Sequence, residues 1–156
     1  MNKNFLVIPL LIAVTVLILP FVVFSGNQIM VTTTTSMLPA LHPNDMIIVE
    51  PIGIDEIEEG DIIAFDTHQE MGIVAHRVVE KYDHDGITAL DTKGDNNDKL
   101  DPWYVTDDDL IGKVKEIIPW FGIILVGPVR YTLVAVIIIL AISMMKDYLT
   151  ENKLKK

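Results

Sequence analysis

Three groups of side chains in this 156-residue chain could do chemistry. The first is Ser36, in Thr34-Thr35-Ser36-Met37-Leu38-Pro39. Pro39 fixes its own φ and pushes Leu38 toward extended geometry, which stiffens the stretch. A stiff loop suits a nucleophile, although a lone Ser-x-x-Pro is equally an ordinary turn. The second is His76, in Val74-Ala75-His76-Arg77-Val78-Val79. Strand alternation would set His76 on one face with Val74 and Val78, and Arg77 on the other. An imidazole on an apolar face can be a base, or simply a core residue with one hydrogen bond. The third is the run from Asp91 to Asp101. Read as a calcium loop from Asp95, it offers Lys99 at the fifth place, no Gly at the sixth, and Thr106 where a bidentate Glu belongs. A solvated loop fits it better. His42, His68 and His84 fall in predicted loops or turns and read as surface residues.

Ser, His and Asp together make a known chemical inventory. A serine hydroxyl hardly ionises near neutral pH, so it needs a neighbouring base to take its proton as it attacks. Imidazole, with an ordinary pKa of about 6.5, suits that exchange. A carboxylate on the other ring nitrogen selects the tautomer and stabilises the imidazolium. Their order along the chain is no objection, because such a site is defined by geometry.

The remaining inventory is restrictive. There is no cysteine, hence no disulfide, thiolate nucleophile or Cys-bound zinc. Serine chemistry of this kind needs neither metal nor organic cofactor. Half of the residues are hydrophobic and mean hydropathy is +0.39, yet the formal charge is -10. The two properties coexist because they are segregated. Residues 25–122 hold 20 of the 22 acidic side chains but only 6 of the 12 basic ones. A segment this acidic repels phosphate backbones, so a nucleic-acid partner is not expected.

The elements that must position these groups follow from the hydrophobic pattern. Residues 5–24 carry no charge, and twenty helical residues span about 30 Å, the thickness of a bilayer's hydrocarbon core. A transmembrane helix is expected there. A cleavable signal peptide is the alternative, since Val23-Phe24-Ser25 before Gly26 could pass as a cleavage site. Residues 123–145 form the second apolar segment, with Arg130 snorkelling to one surface if the segment spans, and a buried core helix as the alternative. Lys3 before the first segment, and Lys146, Lys153, Lys155 and Lys156 after the second, predict cytoplasmic ends, with residues 146–156 as a tail. The acidic part, 25–122, would then lie outside the cytoplasm, with Pro119-Trp120-Phe121 at the outer interface.

Within that part, Met46–Val49, Asp61–Phe65, Ile73–Tyr82, Ile87–Leu90 and Leu110–Ile118 read as strands. Between them stand Pro-Asn-Asp (43–45), Glu-Gly (59–60), Asp-His-Asp-Gly (83–86) and Gly-Asp-Asn-Asn (94–97), all suited to turns. Thr32–Thr35 reads as β-branched and extended. The expected fold is mainly β, a small antiparallel barrel or sandwich flanked by N- and C-terminal transmembrane helices.

Five motifs in order sharpen this reading. They are Ser36-Met37-x-Pro39, Gly60-Asp61-Ile62-Ile63-Ala64-Phe65, Ala75-His76-Arg77-Val78-Val79, Lys93-Gly94-Asp95-Asn96-Asn97 and Ile111-Gly112-Lys113-Val114. The set resembles type I signal peptidase (peptidase family S26), in its archaeal and endoplasmic-reticulum branch, and the resemblance covers roughly residues 5–122. That branch carries His where bacterial relatives carry the Lys of a Ser/Lys dyad. The resemblance implies Ser36 as nucleophile, His76 as general base, Asp101 as its carboxylate partner and Asp95 as a supporting acid. Spacing alone does not say which acid touches His76; Asp101 is the one expected to. It also implies an oxyanion role for the Thr34 hydroxyl, beside the Ser36 N–H. Thr35, directly before the nucleophile, departs from the Gly or small acid usual in the family.

The function implied is a membrane serine endopeptidase that removes signal peptides from secreted and membrane preproteins. Its partners would be preprotein signal peptides, membrane lipid and the secretion translocon, with the cell membrane favoured over the endoplasmic reticulum. A processing protease with other substrates would share every residue named. A membrane-tethered β-domain acting as a non-catalytic interaction module is the rival outside enzymology.

Overall fold

A computed structural model describes residues 4–68, 72–125 and 127–154. The chain divides into two compact units, Phe24–Gly122 and the two ends, Met1–Val23 with Ile123–Lys156.

The unit Phe24–Gly122 is one curled antiparallel sheet. Its strands are β1 (Gln28–Val31), β2 (Met46–Glu50), β3 (Ile62–Asp66), β4 (Ile73–His84), β5 (Ile87–Lys93), β6 (Tyr104–Val105) and β7 (Leu110–Ile118). They lie in the order β1-β2-β7-β3-β4-β5-β6, each antiparallel to its neighbours. The expected barrel or sandwich is therefore a single curled sheet whose outermost strands are β1 and β6. Neither is among the segments that the sequence marks as strands: β6 has only two residues, and β1 follows the first apolar segment with only Ser25-Gly26-Asn27 between. Thr32–Thr35 is not strand: β1 stops at Val31 and the chain turns away.

The β4–β5 hairpin shows local chemistry setting register. Asp85 and Gly86 both have positive φ (55° and 85°), the conformation an Asp-Gly pair adopts in a tight two-residue hairpin. His84 is thereby paired with Ile87 as the last residue of β4, not placed in the turn as expected.

The centre of the sheet is covered on both faces, because alternate residues of β3 enter different clusters. Ile63 and Phe65 pack with Val78, Leu90, Val105 and the 3₁₀ turn Ile54–Glu56. Ala64 packs instead with Met37, Leu41, Ile47 and Val49. Each fully buried Ile, Leu or Phe contributes about 1.5–3 kcal/mol. Met37 and Leu41 thus root the segment carrying Ser36 in the core.

The other unit consists mainly of helices α1 (Asn4–Val23) and α3 (Gly127–Leu154), which pack together, with the short α2 (Gly122–Leu125) at its border. The expected helix over 123–145 is thus α2 and α3 in turn, and α3 runs on through 146–154, where a tail was expected. Among the described residues no helix is long and apolar enough to cross a membrane. The expected spans therefore rest on the sequence of these segments. Lys3, Lys155, Lys156 and the side chains of Arg130 and Lys153 lie outside the described residues.

Candidate active site

Ser36 opens a turn over residues 36–40, between exposed Thr35 and buried Met37. The turn is closed by hydrogen bonds from Leu38 N–H to Thr35 C=O (3.2 Å) and from Leu41 N–H to Met37 C=O (2.9 Å). Packing of Met37 and Leu41 fixes the backbone while leaving the hydroxyl beside a cleft of about 660 Å³.

His76 sits in β4 opposite Ile63 of β3, only 6% exposed, with the Phe65 ring edge-on at 6.5 Å between centroids. Its Nε2 is 3.0 Å from Ser36 Oγ and its Nδ1 is 2.7 Å from Asp101 Oδ2. A carboxylate can only accept, so Nδ1–H donates to Asp101. Nε2 is then left to accept the proton of Ser36. The alcohol and the imidazole, forty positions apart in sequence, are brought into one hydrogen-bonded chain.

Asp101 lies between β5 and β6, outside any strand. Its N–H donates to Thr92 C=O (2.8 Å), and its Oδ2 accepts the Thr92 hydroxyl (2.7 Å) as well as His76. Asp95 is elsewhere. Arg77 Nε donates to Oδ1 (2.8 Å) and Nη2 to Oδ2 (2.7 Å), a bidentate pair. Arg77 Nη1 reaches Gly60 C=O at 2.7 Å. The hydrogen bonds from Arg77 hold Asp95 below the ordinary carboxylate range, and the same contact raises Arg77 further above its own. Of the two acids, then, Asp101 touches His76 and Asp95 touches Arg77.

Asp95 still bears on the site through its own turn. Asn96 N–H donates to Ser36 C=O (2.8 Å), and the Asn96 side chain donates to Thr35 C=O (3.3 Å). Gly94 is required here by proximity: a Cβ would lie 2.6 Å from Ser36 O. Thr34 Oγ1 stands 3.2 Å from Ser36 Oγ. Because the Ser36 proton points to His76, Thr34 is the donor in that pair. Among the described residues no group of three His, Asp or Glu side chains could hold a metal ion.

Sequence reasoning overlooked Thr92, Gly94 and Asn96 as neighbours of the site. Thr92 had one usable signal, a hydroxyl two places from Leu90 on a core-facing side of β5. Nothing in the sequence marks Asn96 apart from Asn97. His42, expected at the surface, is exposed and lies beside buried Asp45. His68 is also exposed, with Asp109 at 3.1 Å.

A curled antiparallel sheet carrying a Ser–His–Asp hydrogen-bond chain beside an open cleft has the make-up of a serine hydrolase. The family described as signal peptidase, peptidase S26, matches residues 3–98, and the chain belongs to it. The matched span includes Ser36, His76 and Asp95 and ends three residues before Asp101. The chain is similar to the signal peptidase complex catalytic subunit SEC11C of Rattus norvegicus, 28% identical over 130 residues, covering 74% of this chain and 68% of the relative. The Homo sapiens SEC11C is 27% identical over 113 residues, covering 66% and 59%. The SEC11 subunit of Colletotrichum graminicola is 32% identical over 106 residues, covering 63% and 62%. The chain thus spans about three fifths to two thirds of the length of these relatives.

Proposed function

We infer that this chain is a membrane-bound serine endopeptidase that cleaves N-terminal signal peptides from preproteins. The observation that carries the reading is the Ser36–His76–Asp101 hydrogen-bond chain in a member of the signal peptidase family. Family membership supplies the substrate class, and the geometry supplies the chemistry.

Ser36 Oγ attacks the scissile carbonyl while His76 Nε2 takes its proton, and Asp101 steadies the imidazolium through Nδ1. The carbonyl oxygen becomes an oxyanion held by the Thr34 hydroxyl and the Ser36 N–H. His76 then gives its proton to the departing amine, leaving an ester on Ser36. Water, deprotonated by the same ring, hydrolyses the ester and frees the signal peptide. Asp95 acts only through the turn it anchors.

The cleft suits an extended peptide. Among the described residues β1 pairs only with β2, and β4 pairs with β5 only from Arg77 onward. Among the described pairings, Met30–Val31 and Ile73–Ala75 therefore each present a free strand edge, and both line the cleft. An extended substrate can add main-chain hydrogen bonds to such an edge. Small side chains just before the cut would meet the apolar lining of Met30, Ile47 and Ala75.

The membrane part of the reading rests on the uncharged helix α1 and the apolar run of α3, which we take as spans with the β-unit outside the cytoplasm. Confining enzyme and substrate to one thin layer raises their effective concentration. The relatives are subunits of animal and fungal signal peptidase complexes, so the location inferred is a membrane, without preference for the cell membrane, and companion subunits are part of the proposal.

The test is cleavage by the full chain in lipid vesicles. A preprotein should yield the mature protein, its new N-terminus following a small residue, while the same protein without its signal peptide stays intact. No product, or cuts unrelated to the signal-peptide boundary, would refute the function. A non-catalytic interaction module would give no product at all.

A further inference from the structure

We propose that Thr92 is a positioning residue for the reaction, its hydroxyl holding the Asp101 carboxylate against the His76 ring. The proposal rests on the serine-peptidase reading and adds a residue to it.

Thr92 is completely buried, on β5 opposite Val78 of β4. Val78 and Leu90, its neighbours on that side, belong to an apolar cluster where Val would pack as well as Thr. A hydroxyl in such a place costs stability unless it is hydrogen-bonded. It is bonded to Asp101 Oδ2, at 2.7 Å.

That oxygen is also the one receiving the His76 Nδ1–H, again at 2.7 Å. Asp101 needs an anchor because it belongs to the irregular segment after Lys93, where no strand ladder dictates its side-chain direction. Thr92 grips it twice. The Thr92 carbonyl accepts the Asp101 N–H and fixes the backbone, while the hydroxyl fixes the carboxylate's rotation. With the hydroxyl gone the backbone contact persists, but the carboxylate is free to turn about its last bond and lose its alignment with Nδ1. The imidazole then loses the partner that keeps its Nε2 as the acceptor for Ser36. Thr92 touches neither substrate nor reacting atoms, so its effect must pass through Asp101.

The experiment compares Thr92→Val, Thr92→Ser and Ser36→Ala with the wild-type full chain in vesicles, measuring kcat and KM for a preprotein together with Tm. Val keeps the shape and removes the hydroxyl; Ser keeps the hydroxyl. For Thr92→Val we expect kcat to fall about tenfold, the loss that follows removal of one hydrogen bond to a charged group, with KM within about twofold and Tm lower by a few degrees, since the Asp101 carboxylate loses a donor while Val fills the same space. Thr92→Ser should stay within about threefold of wild type even if its Tm drops. Thr92→Val with wild-type kcat would overturn the proposal, as would equal losses in Val and Ser, which would mean packing. Should Thr92→Val fail to fold, a folded but inactive Thr92→Ser overturns it. Ser36→Ala separates the two levels. If it is inactive while Thr92→Val is normal, Thr92 alone falls; if it cleaves like wild type, the serine-peptidase reading falls and takes Thr92 with it.

Discussion

Replacing Gly94 by Ala tests how tightly the Gly94–Asn97 turn sets the nucleophile. The added Cβ would lie 2.6 Å from the Ser36 carbonyl oxygen and 2.8 Å from Asn97 Nδ2. Asn97 is a side chain and can swing aside. Ser36 O is backbone, held by Asn96 N–H at 2.8 Å, and cannot move without carrying Ser36 along. Ordinary contact begins at 3.4 Å, so the two groups must separate by about 0.8 Å. A misplacement of about 1 Å at a reacting group costs roughly a hundredfold in rate, which puts the loss here at about 30- to 100-fold in kcat. Overpacking costs about 1–3 kcal/mol of stability, offset by about 0.4–1 kcal/mol because Ala restricts the unfolded chain. The variant should therefore fold, melt a few degrees lower and bind preprotein with little change in KM. The assay is steady-state preprotein cleavage in vesicles, with Tm from the same preparation. A Gly94→Ala enzyme retaining kcat within about threefold would refute the argument that this turn presses on Ser36.

Three further outcomes follow from the same geometry. His76→Lys should lose about 10³-fold or more in kcat, because an amine beside Asp101 stays protonated and cannot act as a base; activity close to wild type would contradict the assignment of the base. Thr34→Val should lower kcat about 10²-fold with KM little changed if its hydroxyl binds the oxyanion, and an unchanged kcat would remove it from that role. Asp95→Asn should lower Tm at neutral pH by an amount equivalent to about 1 kcal/mol or less, the pair being partly exposed. Since Arg77 depresses the folded-state value, the carboxylate's contribution is complete above about pH 4 and is lost as pH falls through the lower folded value. The Tm gap between wild type and Asp95→Asn must therefore narrow on acidification, and a constant gap across pH would refute this.

Much of the β-unit was legible because its strands are short apolar runs bounded by turn residues, and β7 begins and ends where expected. What was missed has physical causes. β6 has only two residues and β1 lies just behind the first apolar segment, so only their ladder partners make them strands. Asp-His-Asp-Gly offers several turns on sequence alone, one of them containing His84, and only pairing with Ile87 selects Asp85-Gly86. The two candidate acids differ in ways no spacing reveals. Asp95 is claimed by Arg77, which alternation turns away from His76, whereas Asp101 is drawn to the ring by Thr92. Such competition between partners depends on the three-dimensional arrangement of strands far apart in sequence.

The central claim is that the Ser36 oxygen attacks the peptide bond, with its proton taken by the ring 3.0 Å away. Preprotein cleavage by Ser36→Ala, purified as the full chain and matched to wild type in amount and Tm, tests it most directly. A loss of about 10⁴-fold or more in kcat is predicted. Wild-type turnover in that variant would contradict it.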